Sequence, residues 1–111
     1  MRSFQLTSEP VNVPASVSKA ELQFFLWIVT KGRKPSATDF LKVEIRDASG
    51  NVLETLATYS NLDANDTYTK RTFDVTRYRG KSIRISFTGI QDKGPATYFL
   101  IDDVNLNIWR P

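Results

Sequence analysis

Leu22-Gln23-Phe24-Phe25-Leu26-Trp27-Ile28-Val29 is the stretch that decides the fold. In an extended chain, side chains alternate between two faces. Leu22, Phe24, Leu26 and Ile28 then share one face, and Phe25, Trp27 and Val29 share the other. A 3.6-residue helix would scatter both sets around its circumference. The stretch is expected to be a long strand with one face in a core and a second apolar face turned the other way.

The same two-residue period recurs on both sides of it. Leu41, Val43 and Ile45 alternate with Lys42, Glu44 and Arg46, which describes a strand with one wet face. Asp47-Ala48-Ser49-Gly50-Asn51 carries hairpin-turn chemistry, and a strand returns from Val52 to Tyr59. Thr69 to Val75 is the next strand, and Arg77-Tyr78-Arg79-Gly80-Lys81 is a tight corner. Ile83, Ile85 and Phe87 alternate with Arg84, Ser86 and Thr88, and a last strand runs from about Thr97 to Trp109. Toward the start, Phe4 and Leu6 mark a short segment, and Val11 and Val13 between Pro10 and Pro14 suit a sheet edge. Lys31 to Thr38, Asn61 to Asp66 and Gln91 to Ala96 are loops. About eight strands separated by turns, with no helical period, repeat or linker, give one all-β domain over residues 1–111, an antiparallel β-sandwich.

The last strand changes phase. Phe99 and Ile101 are odd-numbered, whereas Val104, Leu106 and Ile108 are even. One extra residue must be absorbed near Asp102-Asp103, as a β-bulge does, with an adjacent carboxylate turned outward. Trp109 is expected to close one end of the sandwich.

Composition excludes whole classes of chemistry. The 111 residues contain 0 Cys and 0 His, which removes disulfides, thiolate metal sites, Cys or His nucleophile systems and Ser-His-Asp triads. The longest apolar run, Phe24 to Val29, is far short of the roughly 20 residues that a membrane helix needs, so no membrane partner is expected. Lys+Arg 15 against Asp+Glu 12 gives a net charge of +3, chiefly a solubility term. Two basic groups stand out: Lys31, Arg33 and Lys34; and Lys70, Arg71, Arg77, Arg79, Lys81 and Arg84. No nucleic-acid-binding motif accompanies them, and no nucleic-acid partner is expected. The segment after Met1 has no apolar signal-peptide core, so the chain is expected to be cytosolic or a domain of a longer protein.

Val13-Pro14-Ala15, the run Ala20 to Leu26, Asp39-Phe40-Leu41-Lys42-Val43, the Tyr78-Arg79-Gly80-Lys81 corner and Phe99 to Leu106 together resemble certain secreted bacterial jelly-roll domains. These are similar to galactose-binding-like and MAM-like modules and stand behind the catalytic domains of extracellular peptidases and other hydrolases. The resemblance spans about residues 10 to 108. It implies jelly-roll topology and a secreted, non-catalytic accessory module that serves stability or attachment. The implied partners are a parent catalytic domain or an extracellular polymer, with the module itself a monomer. Some such domains hold structural Ca²⁺, and Asp39, Asp102 and Asp103 match acidic positions of the pattern.

Ca²⁺ takes six to eight oxygens from several segments. Asp39, Asp102 and Asp103 are the candidate ligands, with Glu9, Asp63 and Asp66 able to complete a shell. The alternative is that the bulge carboxylates accept backbone N–H bonds or pair with Arg84 or Lys81. For a ligand, Phe25, Trp27, Tyr59 and Tyr98, with Arg84 and Gln23, are the candidate platform, since aromatic rings stack on the C–H faces of sugars and polar neighbours fix the hydroxyls. This carbohydrate-binding reading stands beside one in which the rings pack under a loop or against another domain. Asp102 and Asp103 are sequence neighbours whose side chains diverge, which makes them a poor acid–base pair, and no catalytic residue is expected.

Overall fold

The computed structural model describes residues 2–31, 36–92, 94 and 96–111. The described residues form eight strands: β1 (Arg2–Thr7), β2 (Val11–Asn12), β3 (Lys19–Thr30), β4 (Phe40–Asp47), β5 (Val52–Ser60), β6 (Thr69–Asp74), β7 (Ser82–Gln91) and β8 (Thr97–Trp109). They make two sheets, all of whose pairings are antiparallel. One runs β1-β7-β4-β5, with β2 also on β7; the other runs β6-β3-β8.

The period of β3 sets the layer order. Ala20, Leu22, Phe24, Leu26 and Ile28 are all fully buried, and they meet Leu41, Val43, Ile45, Ile83, Ile85 and Phe87 from the larger sheet. Phe24 sits at the centre, edge-on to Phe87 with ring centroids 5.2 Å apart and stacked on Phe73 at 6.0 Å. The sandwich expected from the alternation is therefore the structure of the chain.

Turn chemistry explains where strands stop. The Asp47 carboxylate accepts from Ser49 N at 3.0 Å and Asn51 N at 2.9 Å, and Gly50 takes φ 94°, closed to most side chains. The returning strand β5 is a sheet edge with two register shifts against β4, which interrupt regular pairing there. Gly89 is required by a close approach, because a Cβ there would lie 2.1 Å from the Phe4 ring.

One end of the core is plugged by Val13, Val17, Val75 and Tyr78. Trp109 does not close it: the ring is 44% exposed beneath the Lys19 ammonium, 4.8 Å from the ring centre. The chain ends β8 at its pairing with Lys19, beyond the last core layer at Ala20.

The expected bulge is present. Gln23 pairs with Asn105 but Phe25 pairs with Asp102, so β8 carries one more residue than β3 across this step. Asp103 absorbs it at φ 49°, the sole positive φ outside glycine among the described residues. The left-handed region costs a side chain roughly 1–2 kcal/mol, most for β-branched residues and nothing for Gly. Asp103→Val should lower stability in urea denaturation by about 1–2 kcal/mol, whereas Asp103→Gly should leave it close to the parent.

Candidate functional site

The outer faces of the two sheets differ in chemistry. On the larger sheet the outer face is chiefly polar and its side chains bond to one another, although the buried Arg46 Nε has no partner among the described residues. Glu44 is buried there, pairs with Arg46 at 2.8 Å and accepts from the Thr88 hydroxyl at 2.9 Å. Ser86 is fully buried beside Thr7, whose hydroxyl lies 3.2 Å away.

The outer face of the three-stranded sheet is aromatic. Phe25 and Trp27 lie on it, half-buried, because they are the odd partners of the core-facing residues of β3. Register places Lys70 and Asp102 on either side of Phe25, Leu100 beside Trp27, and Tyr98 beside Val29. Tyr98 is 45% exposed and Leu100 37%. Tyr68 stands edge-on to Trp27 at 5.5 Å. Farther along, Gln23 lies between Thr72 and Asn105, which gives the apolar surface a polar margin. The Lys31 ammonium hangs over Tyr98, 5.7 Å from the ring centre.

Asn65 holds this face in shape. β6 pairs with β3 only as far as Leu26, which leaves the edge of β3 beyond it needing partners. Asn65 supplies them: its side-chain oxygen accepts from Ile28 N at 2.8 Å, its backbone N donates to Ile28 O at 3.1 Å, and its side-chain nitrogen donates to the Thr69 hydroxyl at 2.9 Å. The Asn65 carbonyl accepts from the Trp27 indole N–H at 3.2 Å. One residue thus continues the ladder and fixes the indole plane. Ring position is thereby fixed within the folded chain.

Of the residues singled out for a ligand, Phe25, Trp27 and Tyr98 come together. Tyr59 and Arg84 do not join them. Tyr59 pairs with core-facing Leu41, packs against the core and lies under Arg71, whose guanidinium is 5.2 Å from the ring. Burial pushes its phenol above the usual range, partly offset by Arg71. Arg84 lies on the larger sheet and donates to Ser8 O at 3.0 Å and Ala48 O at 3.1 Å. Both sit on the wrong layer because β5 and β7 belong to the larger sheet, neither face of which is the outer face of the smaller one. Tyr68 and Asn65 are not among the residues that the sequence assigns to this platform. Asn65 lies in a loop whose docking on β3 no periodicity reports.

The acidic candidates do not converge either. Asp39 is 1% exposed, and its oxygens accept from Asp92 N at 3.0 Å and the Thr97 hydroxyl at 2.6 Å. It clamps two loops where β8 begins. Asp102 lies five residues along β8 from Thr97, roughly 16 Å at strand rise. Its carboxylate accepts from Asp103 N at 2.8 Å, as the backbone-bonding alternative expected. Asp63 caps its own turn by accepting from Ser60 N at 2.9 Å. Among the described residues, no three acidic groups are placed to hold one ion.

Much of the second basic group is spent on structure. Arg77 and the Tyr78 hydroxyl both donate to the Glu54 carboxylate, the latter at 2.6 Å, and Arg79 donates to Val17 O at 3.3 Å. In the first basic group, Arg33 and Lys34 lie outside the described residues. No protein-family model matches the chain, and no curated protein matches it.

Asn65→Ala leaves Ile28 N–H without its acceptor and should cost about 1–3 kcal/mol in urea denaturation. In a Trp109→Phe background, the emission of Trp27 should shift to the red. A second prediction concerns pH. Hydrogen bonds from Arg77 hold the Glu54 carboxyl below its ordinary value of 4.5. A depressed carboxyl contributes stability above its unfolded value and loses it as pH falls through the folded one. Glu54→Gln should therefore be less stable than the parent at pH 7, with the gap narrowing steadily as the pH drops below 4.5. Thermal melts across that range read the difference.

Proposed function

We propose that the chain is a non-catalytic binding module that attaches to a polysaccharide through the outer face of its three-stranded sheet. One observation carries the reading: Phe25, Trp27, Tyr68, Tyr98 and Leu100 share that face, whereas the opposite outer face is chiefly polar. Aromatic rings offer large contact area at low entropy cost, and their faces match the C–H faces of pyranose rings. Gln23, Thr72, Asn105 and Asp102 beside them supply donors and acceptors for hydroxyl groups. Such a surface works by being preformed and needs no bond-making step.

The likeness to jelly-roll accessory domains supports the wider setting. In that setting the module belongs to a secreted hydrolase, a peptidase by the same likeness, and holds the enzyme near its substrate or a cell surface. Structural Ca²⁺ belongs to that likeness alone, since Asp39 bonds to Thr97 where β8 begins and the Asp102-Asp103 pair lies five residues farther along that strand.

Titration with soluble polysaccharides should change Trp fluorescence for at least one polymer of a broad panel. Trp27→Ala should abolish binding, and Trp109→Phe should preserve both the binding and the fluorescence response. Silence across the panel would overturn the proposal, as would binding that survives Trp27→Ala.

A further inference from the structure

The sandwich is open along the edge between β1 and β8. There the two sheets leave an apolar recess of about 150 Å³, lined by Leu6, Thr7, Ser8, Ile85, Phe87 and Val104. An apolar cavity of that size accepts a benzene ring, and hence one large apolar side chain. Its rim is unusually apolar for a surface: Leu6 is 60% exposed, Val104 45% and Phe4 41%. β8 pairs with β3 on one side, and among the described residues no strand pairs with the other. β1 likewise has a single neighbour, β7.

Unpaired strand edges over apolar surface are templates for another strand. What distinguishes this one is the bulge at its middle. Val104 turns into the recess while Asp102 and Asp103, both exposed, sit immediately before it. Neither carboxylate has a cation within ion-pair distance among the described residues. A second copy of this chain paired through β8 about the bulge would set these carboxylates against their own duplicates. Like charges on neighbouring strands are destabilising. A strand bearing a Lys or Arg opposite the bulge, with apolar residues next to it in sequence, meets both features at once. Its alternation sends the basic side chain toward the acidic pair and the apolar side chains toward the recess.

We infer that the open edge between β1 and β8 is a docking site for an extended, basic-apolar segment of another polypeptide, added as a strand along β8. Main-chain bonds supply affinity in this mode, and the recess and the acidic pair supply selection. This surface adjoins the aromatic face at Asp102, which lies beside Phe25; Trp27→Ala tests the polysaccharide reading and Leu6→Gln this one, so the two fail separately.

The test uses the full chain, isotopically labelled, and three capped peptides that alternate Thr with Val or Leu and differ only at the centre: Arg, Gln or Glu. With the Arg peptide, amide shifts and slowed exchange should be confined to residues 3–8 and 98–108. The Arg peptide should bind about tenfold more tightly than the Glu peptide at low salt, as close charge pairs across an interface do. Asp102→Asn with Asp103→Asn should remove that preference, and Leu6→Gln should weaken all three peptides. Melting curves confirm that the variants fold, and the peptide series on the parent chain needs no variant. Equal affinity for the three peptides, shifts centred elsewhere, or no binding would overturn the inference. So would a concentration-dependent dimer that protects the same strand, which would make the occupant a second copy.

Discussion

β3 is paired on both edges, to β6 and to β8, and that double pairing constrains everything else. A strand so held cannot rotate about its axis, so its even-numbered side chains must enter the core and its odd-numbered ones must leave it. Five consecutive even positions are completely buried as a result. Fully burying a large apolar side chain contributes about 1.5–3 kcal/mol, so slipping the register by one residue would forfeit most of the smaller sheet's share of the core. The aromatic outer face is the other half of the same constraint. Phe25 and Trp27 are exposed as far as they are because Phe24 and Leu26 are inside.

Where pairing lapses, side chains take over. Beyond Leu26, the edge of β3 has no β6 to bond, and Asn65 substitutes for a strand with its amide. At the opposite edge the bulge in β8 trades one regular pair for a left-handed Asp103, which lets Leu106 rejoin the core on even parity. Asp39 plays a comparable part at the loop end, where one buried carboxylate joins the starts of β4 and β8. Asn65 and Asp39 are fixings between elements, and Asp39, one of the positions that resembles an ion ligand, spends both its oxygens on such contacts.

The fold was legible because its signal is periodic. Leu22 to Ile28, Leu41 to Ile45 and Ile83 to Phe87 announce the two inner faces, and the phase change from Ile101 to Val104 announces the bulge. The candidate site was legible only in part. Parity placed Phe25 and Trp27 together, but Tyr59 and Arg84 were grouped with them by residue type, and type carries no information about layer. Tyr68 and Asn65 lie in a loop that joins the face through main-chain bonds to Ile28 and Trp27. Such contacts depend on where a loop lands, and no alternation encodes that. Trp109 was misplaced for a related reason: an aromatic near a strand end signals burial only if a core layer reaches that far.

The central claim is that β3 divides a closed core from an open working surface, and residue-level oxidative footprinting with and without a bound polysaccharide tests it directly. The account predicts that Phe25, Trp27, Tyr68 and Tyr98 are labelled in the free protein and protected by the polymer, while Phe24 and Phe87 stay unlabelled in both states. Labelling of Phe24 in the folded protein would contradict it. So would a bound polymer that leaves the labelling of Trp27 and its neighbours unchanged.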